Sequence, residues 1–292
     1  MKASKCITFI LTVAALAATS FTLMSCTGEG EPVKITIPGT EWNTPTGANA
    51  VDAAASAAPA EAETKAEETP VEEQSSQRGF VNVNGKSYYY DAQGVLQKNG
   101  IVGSDADGYY FADAEGVIDT GYCDGVSADG TDWNVIEGKA AKVSGDSDAM
   151  LHHALQAVAK CTNSGMTRDE KLKSAFDYIK TAYLEGVRHD PPYQELDWPI
   201  VYAEDIFVYG KGDCFSYGAA YAYMAKGIGC ENVYACNSGG HGWAEVDGKF
   251  YDPEWDMHHN EYNHFGVKPE DDCDVNYTSS LMDGVDWMHV KL

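Results

Sequence analysis

The spacing of hydrophobic residues changes along the chain, and the first clear helical spacing begins near Asp148. From there to Lys160, apolar side chains recur every three to four residues, which predicts a helix with one buried face. A second helix is predicted after Thr167, because Thr167 and Glu170 form a capping box ahead of an apolar stripe that ends at Tyr183. Two amphipathic helices are therefore expected in this region.

Strand patterns follow in the C-terminal part. Trp243–Val246 and Lys249–Asp252 flank Asp247-Gly248, a two-residue turn typical of a β-hairpin. Val233–Cys236 predicts a strand before the hairpin, and Trp287–Val290 predicts a short strand in a loop-rich tail. Helices followed by neighbouring antiparallel strands predict an α+β fold.

A small-residue helix is predicted between these two groups of elements. Asp213 suits an N-cap position, so Cys214 becomes the first helical residue, and Gly227 is expected to end the helix. The positive end of a helix dipole favours a thiolate, and the free backbone N–H groups there can hold an oxyanion. Cys214 is therefore a candidate nucleophile, although a lone thiol is more often a buried structural residue.

The predicted hairpin supplies two partners for this cysteine. If Trp243 faces Asp252 across the hairpin, His241 lies diagonal to Asp252 on the same face of the sheet. A carboxylate in that position can fix the imidazole tautomer and stabilise the imidazolium. The sequence thus predicts a Cys214–His241–Asp252 triad. The alternative is an ordinary histidine and an aspartate that only caps the strand end before Pro253.

Three blocks in this order carry a resemblance to a known family: Gly-Asp-Cys-Phe-Ser-Tyr-Gly-Ala-Ala at 212–220, His-Gly-Trp-Ala-Glu-Val at 241–246 and Phe-Tyr-Asp-Pro-Glu-Trp-Asp at 250–256. They resemble the signature blocks of the transglutaminase-like superfamily, over a domain of residues 144–292. The resemblance implies a papain-like fold with the nucleophile helix packed on an antiparallel sheet. It does not imply one reaction, because the family includes cross-linking acyltransferases, amidases, peptidases and inactive members.

The resemblance implies acyl transfer from the amide bond of a peptide or protein substrate. His241 takes the proton of Cys214, the thiolate attacks the carbonyl, and a thioester forms. Water as the acceptor makes a peptidase or amidase, and an amine makes a transglutaminase. An inert lipid-anchored binding or adhesion protein with the same fold is the alternative. Tyr202 and Tyr209 are the candidates for an additional oxyanion donor.

No metal and no cofactor are predicted. Possible metal ligands are dense after the third block, but their spacing matches neither a zinc helix motif nor a CxxC pair. We therefore expect a solvated acidic loop there. The residues concerned are Asp252, Asp256, His258, His259, Glu261 and His264.

The N-terminus has the pattern of a targeting signal. Lys2 and Lys5 precede the apolar run Ile7–Ala18, which is too short for an ordinary membrane span. Leu23-Met24-Ser25-Cys26 resembles a bacterial lipobox, which implies a lipoprotein signal peptide at 1–25 and a lipid on Cys26. The implied location is the bacterial cell surface, on the outer face of the cytoplasmic membrane. A plain secretory signal is the alternative.

Two segments separate this signal from the predicted triad domain. Residues 26–78 are rich in Ala, Glu, Thr and Pro, which predicts a disordered acidic linker. Residues 79–143 contain a repeat of about 21 residues, in which Asn84–Leu96 echoes Ala106–Ile118, with a degenerate third unit around Trp133. The repeats resemble cell-wall-binding (choline-binding) hairpins, which implies a wall polymer as partner. Phe80 and Ser87 depart from that pattern, so a structural spacer remains the alternative.

Charge and cysteine content narrow the partners further. The formal net charge of −25 excludes a nucleic-acid surface, which would be repelled. Of the eight cysteines, Cys6 would be removed with the signal peptide, Cys26 would carry the lipid and Cys214 would be the free nucleophile. Five remain, and an odd number cannot all form disulfides with one another. Cys230 and Cys236 could pair after export, or they could be buried free thiols.

Overall fold

The computed structural model describes residues 77–192, 195–277 and 288–292. The predicted signal peptide at 1–25, the lipidation site Cys26 and the linker up to residue 76 lie outside the described residues. Among the helices of the described part, none has the length and apolar character needed to cross a membrane.

The repeat segment forms antiparallel hairpins. The Asn84-Gly85 turn has positive φ at both residues, 52° and 79°, as the predicted two-residue turn requires. The third unit around Trp133 is also a hairpin, and an extra strand joins it to the second unit. One sheet has the order β1-β2-β3 and the other has the order β4-β5-β8-β7-β6. The strands are β1 (Gly79–Val83), β2 (Lys86–Tyr90), β3 (Leu96–Gln97), β4 (Gly100–Ser104), β5 (Gly108–Ala112), β6 (Asp124–Ala128), β7 (Thr131–Ile136) and β8 (Lys139–Lys142).

Both predicted amphipathic helices are confirmed. Thr167 Oγ1 accepts the Glu170 N–H at 3.3 Å, and the Glu170 carboxylate accepts the Thr167 N–H at 2.8 Å, so the capping box is present. The sequence did not predict the third or the fifth helix. The helices are α1 (Asp146–Cys161), α2 (Arg168–Ala182), α3 (Trp198–Phe207), α4 (Cys214–Gly227) and α5 (Pro253–His258).

The C-terminal strands form a five-stranded antiparallel sheet in the order β14-β13-β12-β11-β15. Helices α1, α2, α3 and α4 share one apolar core with this sheet, so the prediction of an α+β fold is confirmed at that level. A short parallel pair, β9 with β10, leads into α4. The strands are β9 (Leu184–Glu185), β10 (Lys211–Gly212), β11 (Val233–Asn237), β12 (Gly242–Val246), β13 (Lys249–Tyr251), β14 (Phe265–Val267) and β15 (Met288–Lys291).

The hairpin sheet packs directly against α1 and α2. Cys123, just before β6, is buried in the same apolar core as the helices. The Lys171 ammonium donates to the Gly121 carbonyl at 2.6 Å, and Arg168 pairs with Glu137 at 2.9 Å. The segments on either side of residue 143 therefore share a core.

All six described cysteines are free thiols. Cys230 and Cys236 are both buried, so the free-thiol alternative holds for this pair and the disulfide does not form.

Candidate active site

Cys214 is the first residue of α4, as predicted. The Asp213 carboxylate accepts the Ser216 N–H at 3.2 Å and caps the helix. Asp213 also accepts the Phe215 N–H, so the backbone N–H of Cys214 itself is the first-turn group that can bind a developing negative charge. The helix ends at Gly227, and the chain turns at Gly229 with φ of +96°.

Two glycines allow α4 and β12 to lie unusually close together. A Cβ atom on Gly218 would lie 2.7 Å from the Cα atom of Trp243. A Cβ atom on Gly242 would lie 2.7 Å from the Cα atom of Phe215. Both are backbone contacts, so neither position can accept a side chain unless the helix and strand move apart. This close approach brings the start of α4 to the start of β12, where His241 lies.

The contact between His241 and Asp252 predicted from the hairpin register is present. The Asp247-Gly248 turn has φ of 51° and 76°, and Val246 pairs with Lys249. His241 Nε2 lies 2.5 Å from Asp252 Oδ2, with both side chains almost fully buried. Because Asp252 holds Nε2, Nδ1 is the nitrogen left for another partner.

Further groups hold the Asp252 carboxylate in place. The Trp255 N–H donates to Oδ1 at 3.0 Å, and the Tyr277 hydroxyl donates to Oδ2 at 3.1 Å. The backbone N–H of Asp252 donates to the His264 carbonyl at 3.0 Å. Asp252 is therefore both the partner of His241 and the N-cap of α5, so the two interpretations offered by the sequence hold together.

The surroundings of His241 favour the charged ring. Burial lowers the pKa of His241, but the adjacent Asp252 carboxylate and the Cys214 side chain outweigh burial and raise that pKa well above its usual range. The Trp255 ring packs edge-on against the imidazole at a centroid distance of 5.0 Å. Ligating atoms of Cys214 and His241 lie within 4.8 Å of each other, so the structure brings all three predicted triad residues together.

Neither tyrosine considered as an oxyanion donor is directed to the cysteine. The Tyr202 hydroxyl donates to the Asp190 carbonyl. Tyr209 is half exposed, and the Arg188 guanidinium lies 3.7 Å above its ring. In the described part of the chain, the backbone N–H of Cys214 is left as the oxyanion donor of the first turn of α4, because those of Phe215 and Ser216 donate to Asp213.

Sequence reasoning missed a buried carboxylate beneath the first turn of α4. Asp205 Oδ1 accepts a hydrogen bond from Arg188 Nε at 2.6 Å and lies 3.1 Å from His189 Nε2. Asp205 Oδ2 accepts the Ser216 hydroxyl at 3.1 Å. This network joins α3 to α4 and fixes the position of Ser216, two residues after the cysteine. A lone aspartate on the apolar α3 segment is the signal that could have indicated it.

The expectation of a solvated acidic loop is wrong at Asp252, Asp256 and His264, whereas residues 259–263 form a largely exposed turn as expected. Residues 253–258 form α5, and His264 is fully buried with its Nε2 2.8 Å from Asp274. Asp256 pairs with Lys180 at 2.7 Å. Long-range partners that the local spacing does not reveal account for these positions.

Comparisons with known proteins add nothing to these residues. No protein-family model matches the chain, and neither the curated proteins nor the solved structures gave a significant match. The chemistry of the site therefore rests on the geometry of Cys214, His241 and Asp252.

Alkylation should select Cys214 among the described cysteines. Burial raises the pKa of Cys161 and Cys230 to about 11, and it raises the pKa of Cys123, Cys236 and Cys273 as well. A thiol with a raised pKa holds little thiolate at neutral pH and reacts slowly. We expect limiting iodoacetamide at pH 7 to modify Cys214 first, as measured by peptide mapping of the full-length protein in detergent. Faster modification of any other described cysteine would contradict this expectation.

Proposed function

We propose that this protein is a thiol acyl-transfer enzyme of the transglutaminase-like superfamily that acts on amide bonds of peptides or proteins at the cell surface. The observation that carries the proposal is the buried 2.5 Å contact of His241 with Asp252, next to a cysteine at a helix N-terminus. A nucleophile, a base and a group that orients the base are the three parts that thiol catalysis needs.

The first half of the reaction forms a thioester. His241 takes the proton of Cys214, and the thiolate attacks the amide carbonyl carbon. The oxyanion accepts a hydrogen bond from the backbone N–H of Cys214 at the start of α4. As the C–N bond breaks, the imidazolium returns its proton to the leaving amine. Asp252 stabilises the imidazolium throughout and itself remains a deprotonated carboxylate.

The second half transfers the acyl group to water or to an amine. His241 removes a proton from the acceptor, the new bond to the carbonyl carbon forms, and Cys214 leaves as the thiolate. Which acceptor reacts depends on how well the site excludes water: a site open to water favours hydrolysis, and a site that excludes water favours transfer to an amine. Trp255 packs edge-on against the imidazole. The triad acts in the same way on water and on an amine, so the proposed class includes both the hydrolase and the transglutaminase.

A wall polymer bound by the hairpins is the second part of the proposal. A cavity of about 550 Å³ lies between β2 and β4, and its lining combines aromatic and polar side chains. Such a lining suits a carbohydrate, whose ring faces stack on aromatics and whose hydroxyls need polar partners. With a lipid on Cys26, the thiol of Cys214 would act at the membrane surface on wall peptides or extracellular proteins. The acidic chain is not proposed to bind nucleic acid. The polar and aromatic lining includes Tyr89, Tyr90, Asp91, Gln97 and Asp107.

Product analysis tests the proposed reaction. The full-length protein in detergent is incubated with an amide peptide library and a tagged primary amine, and products are identified by mass spectrometry. We expect hydrolysed peptides, amine-tagged peptides or both, and no products after pretreatment with iodoacetamide. If neither product forms, the inert binding or adhesion protein is correct and the proposed enzyme is not.

A further inference from the structure

Glu254 is an acidic residue of the site that the proposed triad does not use. It belongs to the first turn of α5, two residues after Asp252. One carboxylate oxygen of Glu254, Cys214 Sγ and a ring nitrogen of His241 all lie within 4.8 Å of one another. Three different kinds of metal-binding atom therefore lie close together, supplied by α4, by the residue before β12 and by α5.

These atoms are the donors that zinc prefers. Zinc binds thiolate sulfur at about 2.3 Å, imidazole nitrogen at about 2.0–2.1 Å and carboxylate oxygen at about 2.0–2.2 Å. Two such donors on one tetrahedral ion are about 3.5 Å apart. The 4.8 Å limit is close to that spacing, so only a small approach of the three donor atoms is needed to bind an ion.

The histidine is already oriented for a metal. A zinc-bound histidine usually donates its other ring N–H to a carboxylate, which fixes the ring and increases its donor strength. His241 Nε2 has that partner in Asp252, 2.5 Å away, so Nδ1 remains as the donor to an ion. The Trp255 N–H and the Tyr277 hydroxyl in turn hold Asp252.

The carboxylate of Glu254 lacks a close partner. Its side chain is 20% exposed, and its nearest ion-pair partner is His258 Nε2 at 3.7 Å. In the described part of the chain, no hydrogen bond to this carboxylate is present, although a largely buried carboxylate normally accepts at least one. A cation next to Cys214 and His241 would supply the missing interaction.

We propose that Cys214, His241 and Glu254 bind one zinc ion, which blocks the thiol reversibly. As the Zn–S and Zn–N bonds form, the Cys214 thiol and the charged His241 ring each release one proton to solvent. The ion then binds the thiolate, Nδ1 of the neutral ring and the Glu254 carboxylate. Cys214 and Glu254 both reach solvent, so a water molecule completes the coordination. Two anionic ligands balance the charge of the ion. Catalysis plays no part in this binding, so the site is independent of the proposed function.

The linear sequence gave no sign of such a site because its ligands come from three distant blocks. The candidate ligands identified from spacing lay within the single segment from Asp252 to His264 and omitted both Cys214 and Glu254. A neighbouring group, Glu185 with Glu254 and His258, also has its donor atoms within 4.8 Å of one another, but it lacks a thiol. Two further groups contain a thiol: Cys236 with Glu245 and His289, and Cys273 with His264 and Asp274. The test must therefore separate Cys214 from each of these groups.

Cobalt(II) is a suitable probe, because a thiolate–cobalt bond gives a charge-transfer absorption that an all-carboxylate and imidazole site lacks. We expect the full-length protein in detergent to bind one equivalent of Co²⁺ with this absorption and to release it when Zn²⁺ is added. Cys214→Ser should abolish the band. Glu254→Gln should weaken Co²⁺ binding more than about 10-fold, since loss even of an outer partner of a metal ligand costs 10- to 100-fold.

Two variants keep the result interpretable. Glu185→Gln removes a carboxylate from the neighbouring group only and should leave cobalt affinity unchanged. Glu254→Asp keeps the charge and should bind between wild type and Glu254→Gln, with folding of each variant checked by circular dichroism. No band in wild type, a band retained in Cys214→Ser, or equal affinity in wild type and Glu254→Gln would each overturn the zinc site. Product formation measured without metal is a separate result, so either idea can fail alone.

Discussion

Cys214→Ala is expected to form no acyl-enzyme and to lower turnover of any amide substrate on the order of 10⁶-fold. The methyl group cannot form the thioester. Cys236 and Cys273 also lie near a histidine, but neither is at the start of a helix, where backbone N–H groups can hold an oxyanion. Residual turnover would come only from the bound substrate and the backbone donors. The substitution removes a single sulfur atom from a partly exposed position, so the fold should persist.

Intact-protein mass spectrometry with an activated amide probe measures this prediction. Wild type should gain the mass of the acyl group, and Cys214→Ala should not. Cys273→Ala is the matched control, because Cys273 is also a partly exposed free cysteine. It should acylate like wild type. Unchanged acylation in Cys214→Ala would show that the triad is wrongly assigned.

The parts of the site that the sequence predicted are determined by local interactions. Asp213 caps the helix through a bond to a residue three positions later. The Asp247-Gly248 turn sets the hairpin register, and that register alone brings His241 to Asp252. Each step depends on residues close in the chain, and physical rules for caps and turns apply to them directly.

The parts that the sequence did not predict depend on distant contacts. Asp205 lies on α3, and its partners come from the preceding loop and from α4. Tyr277 reaches Asp252 from 25 residues further along the chain. Glu254 has no local pattern that separates it from an ordinary first-turn acid of a helix. Burial decides the role of each of these groups, and burial is a property of the packed chain.

Gly242→Ala should lower both stability and acylation rate. Its Cβ atom would lie 2.7 Å from the Cα atom of Phe215, so β12 and α4 must move apart. Overpacking of this kind costs about 1–3 kcal/mol of the free energy of unfolding. The same movement separates Cys214 from His241, and a misplacement of about 1 Å can cost about 100-fold in rate.

Urea unfolding gives the stability change, and the mass-spectrometric acylation assay gives the rate. Gly165→Ala is the control, because its Cβ atom would meet only the side-chain oxygen of Asn163, at 3.3 Å, and its φ is not positive. That variant should match wild type in both measurements. If Gly242→Ala were as stable and as fast as Gly165→Ala, the close approach of helix and strand would not be what brings the thiol and the imidazole together. If Gly242→Ala remains folded under the assay conditions but acylates more slowly than Gly165→Ala, glycine at 242 sets the distance between the thiol of Cys214 and the imidazole of His241.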